Sequence, residues 1–445
     1  MTSSGLNAKE NLTYFSNKKE YSLFFTDELY SKVEHLHTAL PQTSISVYPD
    51  ATLKTNGLPT GIACASMSKN AMLLPFILRD PGCGYLMFKL KFNNGRSPDW
   101  KQIAGNALDG LATSRSFHDI KNNLLNTFDL SSIINNGLHA LSTEKIEIDL
   151  NKFIYTNFVK NEKSVLLTNN EIQLLKEDLM ALTNTIEIRK LANIKMQDAL
   201  RMHSIDDQDY IGFIHTGSHV FPKILGEKFV YRICEYAHQN KLFSLDDIDN
   251  GVVGVPLNST LGTEYETWLY AAMNHALVSR YSIFLAVKQE LESLLPCEIT
   301  LLNDNPHAGL FQGKWESEHV AYSTRGVQHI FKQQLSVVAG QKETPAALVT
   351  GGVNVNKYNH FISHGTGYHI NNQFDYSQVF CQEDQEQYLL DAHDTFYNSK
   401  PHYEDCIPYT YSLCRSLKFF EEIGLADTVA FLSPVINIQS EWLKN

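Results

Sequence analysis

Asn359-His-Phe-Ile-Ser-His-Gly-Thr-Gly-Tyr-His369 sets one histidine, His364, directly before a Gly365-Thr366-Gly367 turn. Glycines accept positive φ and let a phosphate come close to the backbone. A histidine beside such a turn is placed to attack phosphorus and to carry the product as a covalent adduct. On its own the pattern describes a surface turn with a solvated histidine equally well. It gains weight from other stretches that supply metal-ligating residue types: Asp80-Pro-Gly-Cys83-Gly84, His215-Thr-Gly-Ser218 and Asn305-Pro-His307.

Working outward, a chain of 445 residues can bury a large core. With 43% hydrophobic and 19% charged residues it has the composition of a soluble globular protein. The formal net charge of −12 argues against a general nucleic-acid binder and predicts poor non-specific binding at physiological salt. A local basic groove remains compatible with it. The seven cysteines are scattered and form no CxxC pair, which predicts free thiols in a reducing compartment. The N-terminus has no signal-peptide core and no apolar run is long enough to span a bilayer, so a cytoplasmic location is expected.

Along the chain, Thr26-Asp-Glu-Leu29 predicts a capped helix, with Leu29, Val33, Leu36 and Leu40 at helical spacing before Pro41. Ser44-Ile-Ser-Val-Tyr48 alternates like a strand and is expected to stop at Pro49-Asp50. Tyr85 to Phe92 reads as a strand, which sets Asp80 and Cys83 in a tight connection between two buried segments. The region around 121–165 carries no motif and is expected to be peripheral. Thr168-Asn-Asn-Glu171 is a capping box. Ala199 to His203 and Tyr210 to Ile214 read as strands, the second delivering His215 at its end. Thr263 to about Leu295 reads as one long helix. With motifs spread from Asp80 to His364 and no clear linker, residues 1–445 are expected to form a single domain.

Cysteine offers a soft thiolate, aspartate a hard carboxylate and histidine a borderline imidazole, a mixture suited to Mn, Fe or Zn. Each residue also has a plain structural role. Asp80 can cap its turn, Cys83 can fill a small core site, His215 can be a satisfied core histidine and His307 a surface one. No spacing law joins these dispersed positions.

The chain resembles the RtcB family of RNA ligases. Tyr48-Pro-Asp50 and Gly57-Leu-Pro-Thr-Gly61 are similar to the family's early Pro-Asp and Gly-rich stretch. Asp80-Pro-Gly-Cys83-Gly84 resembles its Asp-x-Gly-Cys-Gly motif, and His215-Thr-Gly-Ser218 its His-Ser/Thr-Gly-Ser-Arg motif. Asn305-Pro-His307-Ala308 resembles its His-Asn metal motif. Ser363-His364-Gly365-Thr366-Gly367 resembles the Ser-His-Gly-Ala-Gly motif whose histidine becomes guanylylated. Order and approximate spacing agree from about Val47 to Gln439.

The resemblance implies a single α+β domain, with packed β-sheets at the centre and helices around them. It implies ligation of an RNA 3′-phosphate, or a 2′,3′-cyclic phosphate, to a 5′-hydroxyl in RNA repair or tRNA splicing, using GTP and two Mn²⁺ ions. Carried over residue by residue, His364 would be the nucleophile. Asp80, Cys83, Asp198, His215 and His307 would hold metal, with Cys83 bridging the two ions. Gln197, Asp198, His307, Gly340, Gln341, Thr344, His364, Gly365, Thr366, Gly367 and Gln439 would contact the nucleotide.

The departures are specific. By spacing, Gln197-Asp198-Ala199 stands where the family has Asn-His-Phe, so Asp198 would replace a histidine ligand. A different gap placement puts Thr183-Asn184 there and the ligand is lost. His219, Tyr368 and Gln439 stand for an Arg, an Arg and a Lys, and Ala308 for the Asn of the His-Asn pair. The Arg-Lys-Gly stretch becomes Thr324-Arg325-Gly326, and the phosphate-binding Pro-Gly-Ser-Met-Gly loop becomes Ala339-Gly340-Gln341-Lys342-Glu343. A ligase with changed nucleotide or RNA contacts is the first expectation. A catalytically altered paralogue that binds metal and RNA ends, or a metal-dependent phosphohydrolase, are the alternatives.

Overall fold

The computed structural model describes residues 6–9, 11–17, 25–54, 58–92, 111, 114–142, 147–158, 164–182, 184–315, 318–340, 344–365 and 407–439. They form a mixed α+β structure with several sheets, as the resemblance implies. The chain gathers into two compact units. One comprises Met1–Ala65, Arg189–Asp207 and Thr324–Pro434, the other Ser66–Ile188, Gln208–Ser323 and Val435–Asn445.

In the first unit, strands Leu6–Lys9, Leu12–Asn17, Ser44–Thr52 and Thr60–Met67 lie side by side in chain order. The pair Leu12–Asn17 and Ser44–Thr52 is parallel, and parallel neighbours need a crossover. Helix Asp27–Ala39 supplies it. The Thr26 hydroxyl accepts from the Leu29 N–H, and Leu29, Val33 and Leu36 are buried. The expected strand end at Pro49 is corrected: the strand continues to Thr52. Proline cannot donate to a ladder, and the pairing with Thr60–Met67 shifts register between Val47 and Thr52. That irregularity keeps Asp50 inside the strand and buried. The unit also holds the antiparallel strands Ser336–Val338, Ala346–Gly351 and Ala426–Gln439, and the short pair Val327–His329 with Phe361–Ser363.

Ala199 to His203 is likewise corrected from strand to helix: Gln197–Met202 is helical. A run that short carries too little period to separate the two forms, and Ala, Leu, Arg and Met all favour the helix.

The second unit is built on helix Thr260–Leu294, capped by the Ser259 hydroxyl. From Tyr265 to Phe284 every residue is buried. A helix that is covered all round shows little amphipathic period, because no face is left for solvent. Against it lie strands in the order Cys297–Pro306, Gly84–Phe92, Tyr210–Thr216 and Thr185–Ala192. Helices Arg115–Thr127 and Leu130–Asn136, which overlap the stretch around 121–165 expected to be peripheral, bury Leu124, Leu130, Ile133 and Ile134. Asn274 on the long helix donates to the Ile134 carbonyl at 2.9 Å and accepts from the Phe158 N–H at 3.0 Å. The predicted capping box forms, with Thr168 and Glu171 bonding reciprocally. No helix among the described residues is long and apolar enough to cross a membrane.

Candidate functional site

In the second unit, an antiparallel register converts three distant sequence positions into neighbours. Cys83 immediately precedes strand Gly84–Phe92, His215 is the penultimate residue of Tyr210–Thr216, and His307 follows Cys297–Pro306. Gly84 pairs with Thr216 on one side and Pro306 on the other, and Tyr85 pairs with His215. One strand therefore starts where its two neighbours end. Backbone bonds fix the junction: the His307 N–H donates to the Cys83 carbonyl at 2.8 Å, and the Gly82 N–H to the Ala308 carbonyl at 2.8 Å.

The side chains converge. Cys83 Sγ lies 3.4 Å from His215 Nε2, which lies 3.2 Å from His307 Nε2. The donor atoms of all three fall within 4.8 Å of one another. Bonds of about 2.0–2.3 Å to a shared ion give ligand separations of roughly 3–3.7 Å, so the observed spacing fits one cation. Tyr85 packs on both imidazoles, with ring centroids 4.5 and 4.9 Å away. Burial, then the nearby Asp80 carboxylate, pushes the Cys83 thiol up to about 12, against Arg280 and hydrogen bonds from Gly84 and Asn184. A metal bound here must displace that proton.

Arg280, in the middle of the long helix and fully buried, holds the junction from behind. Its guanidinium grips Asp304 bidentately at 2.5 and 2.8 Å and donates to the carbonyls of Gly82 at 2.6 Å and Thr216 at 3.0 Å. Gly82 neighbours Cys83, Thr216 neighbours His215, and Asp304 lies on the strand that leads to His307. Gly82 is required at φ +82°, where a Cβ would meet Ala276 Cβ at 2.7 Å. After His215, Ser218 donates to Asp178 at 2.6 Å, which also accepts the His219 N–H at 3.2 Å.

The first unit carries the second constellation. His364 Nδ1 is 2.6 Å from Asp50 Oδ2, and the same oxygen accepts the Gly365 N–H at 3.3 Å. Asp50 is 4% exposed, so its charge is held off solvent and onto the imidazole. The His364 N–H donates to the Gly326 carbonyl at 3.3 Å, and the Ala339 N–H to the His364 carbonyl at 3.0 Å. Gly326 has φ +67°, and a Cβ there would come within 3.1 Å of His364 Cε1. The altered Thr324-Arg325-Gly326 stretch thus keeps the glycine that makes room for the ring. A carboxylate on Nδ1 fixes the ring orientation and the tautomer that leaves the Nε2 lone pair available.

The remaining expected positions scatter. Asp80 is exposed, and its carbonyl accepts the Cys83 N–H at 3.1 Å. Asp198 stands on helix Gln197–Met202, with its side chain 95% exposed and 3.2 Å from Arg201. Gln197 on the same helix donates to Asp207 at 2.5 Å. The residue against Cys83 is Asn184, whose Nδ2 donates to Sγ at 3.5 Å. Of the phosphate loop, Gly340 is packed by Thr344 and Pro345, and the Thr344 carbonyl accepts from Arg189 at 2.6 Å. Gln341, Thr366 and Gly367 lie outside the described residues, and Gln439 ends its strand. Asp50, Arg280 and Asp304 were not among the expected site residues. A lone arginine within Ala276-Leu-Val-Ser-Arg280-Tyr-Ser-Ile-Phe284 signals a buried partner, and Tyr48-Pro-Asp50 marks an interrupted strand.

No curated protein matches the chain. The profile of the tRNA-splicing ligase RtcB family matches residues 42–440, which include both constellations, and on that match the chain belongs to the RtcB family.

Proposed function

We propose that this protein is a metal-dependent RNA ligase. It joins a 3′-phosphate or 2′,3′-cyclic phosphate end of RNA to a 5′-hydroxyl through a guanylylated His364, with GTP as nucleotide. Cys83, His215 and His307 would hold Mn²⁺, which would supply positive charge against the phosphates and the leaving pyrophosphate. The observation that carries the proposal is the His364–Asp50 contact of 2.6 Å in an RtcB chain.

The chain's own residues supply the following. Asp50 holds the Nδ1 proton, so His364 Nε2 is the atom that attacks the α-phosphorus of GTP. A P–N bond forms as the bond to pyrophosphate breaks. The GMP group then passes to the RNA 3′-phosphate, which a 2′,3′-cyclic end yields only after hydrolysis by water, freeing His364 and turning that phosphate into an activated end. Attack by the 5′-hydroxyl closes the phosphodiester and releases GMP. Simple hydrolysis of phosphate ends needs no covalent nucleotide, so a histidine built for nucleophilic attack favours ligation over a phosphohydrolase.

Intact-protein mass spectrometry after incubation with GTP, then ATP, each with Mn²⁺, tests this. The expected result is a nucleotide-monophosphate adduct that His364→Ala lacks. Metal-loaded protein with no adduct, and no joining of RNA ends, would overturn the proposal in favour of a paralogue that binds metal and RNA ends.

A further inference from the structure

The number of ions at Cys83 is set by what surrounds its sulfur. A thiolate bridges two ions only if it offers a lone pair to each and each ion finds further donors. One side of Cys83 Sγ faces His215 and His307, which complete a three-donor set. That is the protein ligand count of an open catalytic site, with room left for water or substrate. Another side meets Asn184, whose amide N–H points at the sulfur from 3.5 Å.

Asn184 directly precedes strand Thr185–Ala192, the neighbour of Tyr210–Thr216. Thr216 donates to the Ala181 carbonyl at 3.1 Å, which ties this segment to the end of the strand carrying His215. The amide orientation follows from chemistry. A sulfur lone pair accepts from N–H and repels a carbonyl oxygen, and a thiolate strengthens the preference. Asn184 therefore takes up the lone pair that a second ion would need and turns its own oxygen away. Beyond it, the Asp80 carboxylate acts on Cys83 from an exposed position. Asp198, with its side chain 95% exposed, is ion-paired with Arg201. One exposed carboxylate and one amide aimed by its N–H make a poor second cage.

We propose that this chain binds a single ion, with Cys83 as a terminal ligand capped by the Asn184 amide, and that position 184, which presents an amide N–H where a second ion would need a donor, is what leaves that ion without a cage. The inference rests on Cys83, His215 and His307 being a metal centre. It bears on chemistry: one ion can polarise one phosphate group, while the paired clamp that two ions make on attacking and leaving oxygens is absent.

The test is metal content and electron paramagnetic resonance of the full chain, stripped and then saturated with Mn²⁺, for wild type, Asn184→His, Asn184→Ala and Cys83→Ala. The expected wild type holds one ion per chain with the signal of an isolated Mn²⁺. Asn184→His is expected to hold a second ion and show the broadened signal of an exchange-coupled pair, while Asn184→Ala stays at one. A coupled signal or a second tightly held ion in wild type overturns the inference, as does a folded Asn184→His that holds only one. Wild type with no bound ion, or a Cys83→Ala variant that binds as wild type does, removes instead the metal centre on which it rests.

Discussion

The cluster of Cys83, His215 and His307 and the pair of His364 with Asp50 meet opposite electrostatic demands. In the cluster, three lone-pair donors are packed against one another in a largely buried junction. Only a proton or a cation between them relieves that arrangement. In the pair, one carboxylate oxygen meets an imidazole N–H and a backbone N–H, and no ion is needed to join them. One geometry can take up a ligand, the other fixes an orientation. Losing metal should therefore unsettle the cluster and leave the pair intact, and damage to the pair should leave metal affinity unchanged.

The sharpest way to break this comparison is to separate the two functions. His364→Ala is expected to abolish the nucleotide adduct while Mn²⁺ affinity, measured by calorimetry, stays within error. Asp50→Asn is expected to slow adduct formation by about 10²–10⁴-fold, because an amide can donate to Nδ1 and stabilise the wrong tautomer. It too should bind Mn²⁺ as wild type does, and a parallel loss of metal would mean the pair and the cluster are not independent. Cys83→Ala is the converse. Deleting a direct donor should cost at least about 100-fold in Mn²⁺ affinity, since even supporting residues cost 10–100-fold.

A smaller effect is expected behind the cluster. Arg280 touches each segment that bears a ligand, through Gly82, Thr216 and Asp304. Arg280→Lys keeps the charge and loses the fork. It should weaken metal binding by about 10–100-fold and lower the melting temperature. Breaking the pair outright, with Arg280→Met, leaves Asp304 buried without its countercharge and should cost about 3–5 kcal/mol. Co²⁺ substitution distinguishes positioning from mere stability: a folded Arg280→Lys protein should show an altered thiolate-to-cobalt band. An unaltered band and affinity would confine Arg280 to folding.

The same contrast explains what the sequence disclosed. The long helix, the capped helix at Thr26 and the capping box at Thr168 were legible because they depend on neighbours in the chain. Cys83, His215 and His307 could be nominated singly by residue type but joined into one site only through a resemblance, since register across three strands, which no local spacing records, brings them together. Asp50 was missed because proline argued for a strand end, whereas a register shift absorbs the missing donor and carries the carboxylate inward to His364. Asp198 was nominated by counting residues across a loop of uncertain length. Asn184, the alternative placement, is the side chain that lies against Cys83.

A final test extends the comparison to a histidine with a different setting. His329, on strand Val327–His329, is packed between Phe331 and Phe361, with ring centroids 5.7 and 4.6 Å away. Burial, then the charge of nearby His360, pushes it down to about 3. The unfolded chain would protonate it near the ordinary value of about 6.5. Between these values the unfolded state binds more protons, so stability rises with pH there and is lost as pH falls from about 6.5 towards 3. The slope from this residue is at most about 1.4 kcal/mol per pH unit. His275 and His360 are also lowered by burial and add to the same trend. His329→Phe keeps a ring between its neighbours and removes the titration. Urea denaturation at pH 7 and pH 4.5 should then show a smaller acid loss than wild type, though not none. An equal loss in both proteins would mean that water reaches His329 and that its burial does not set the acid limit.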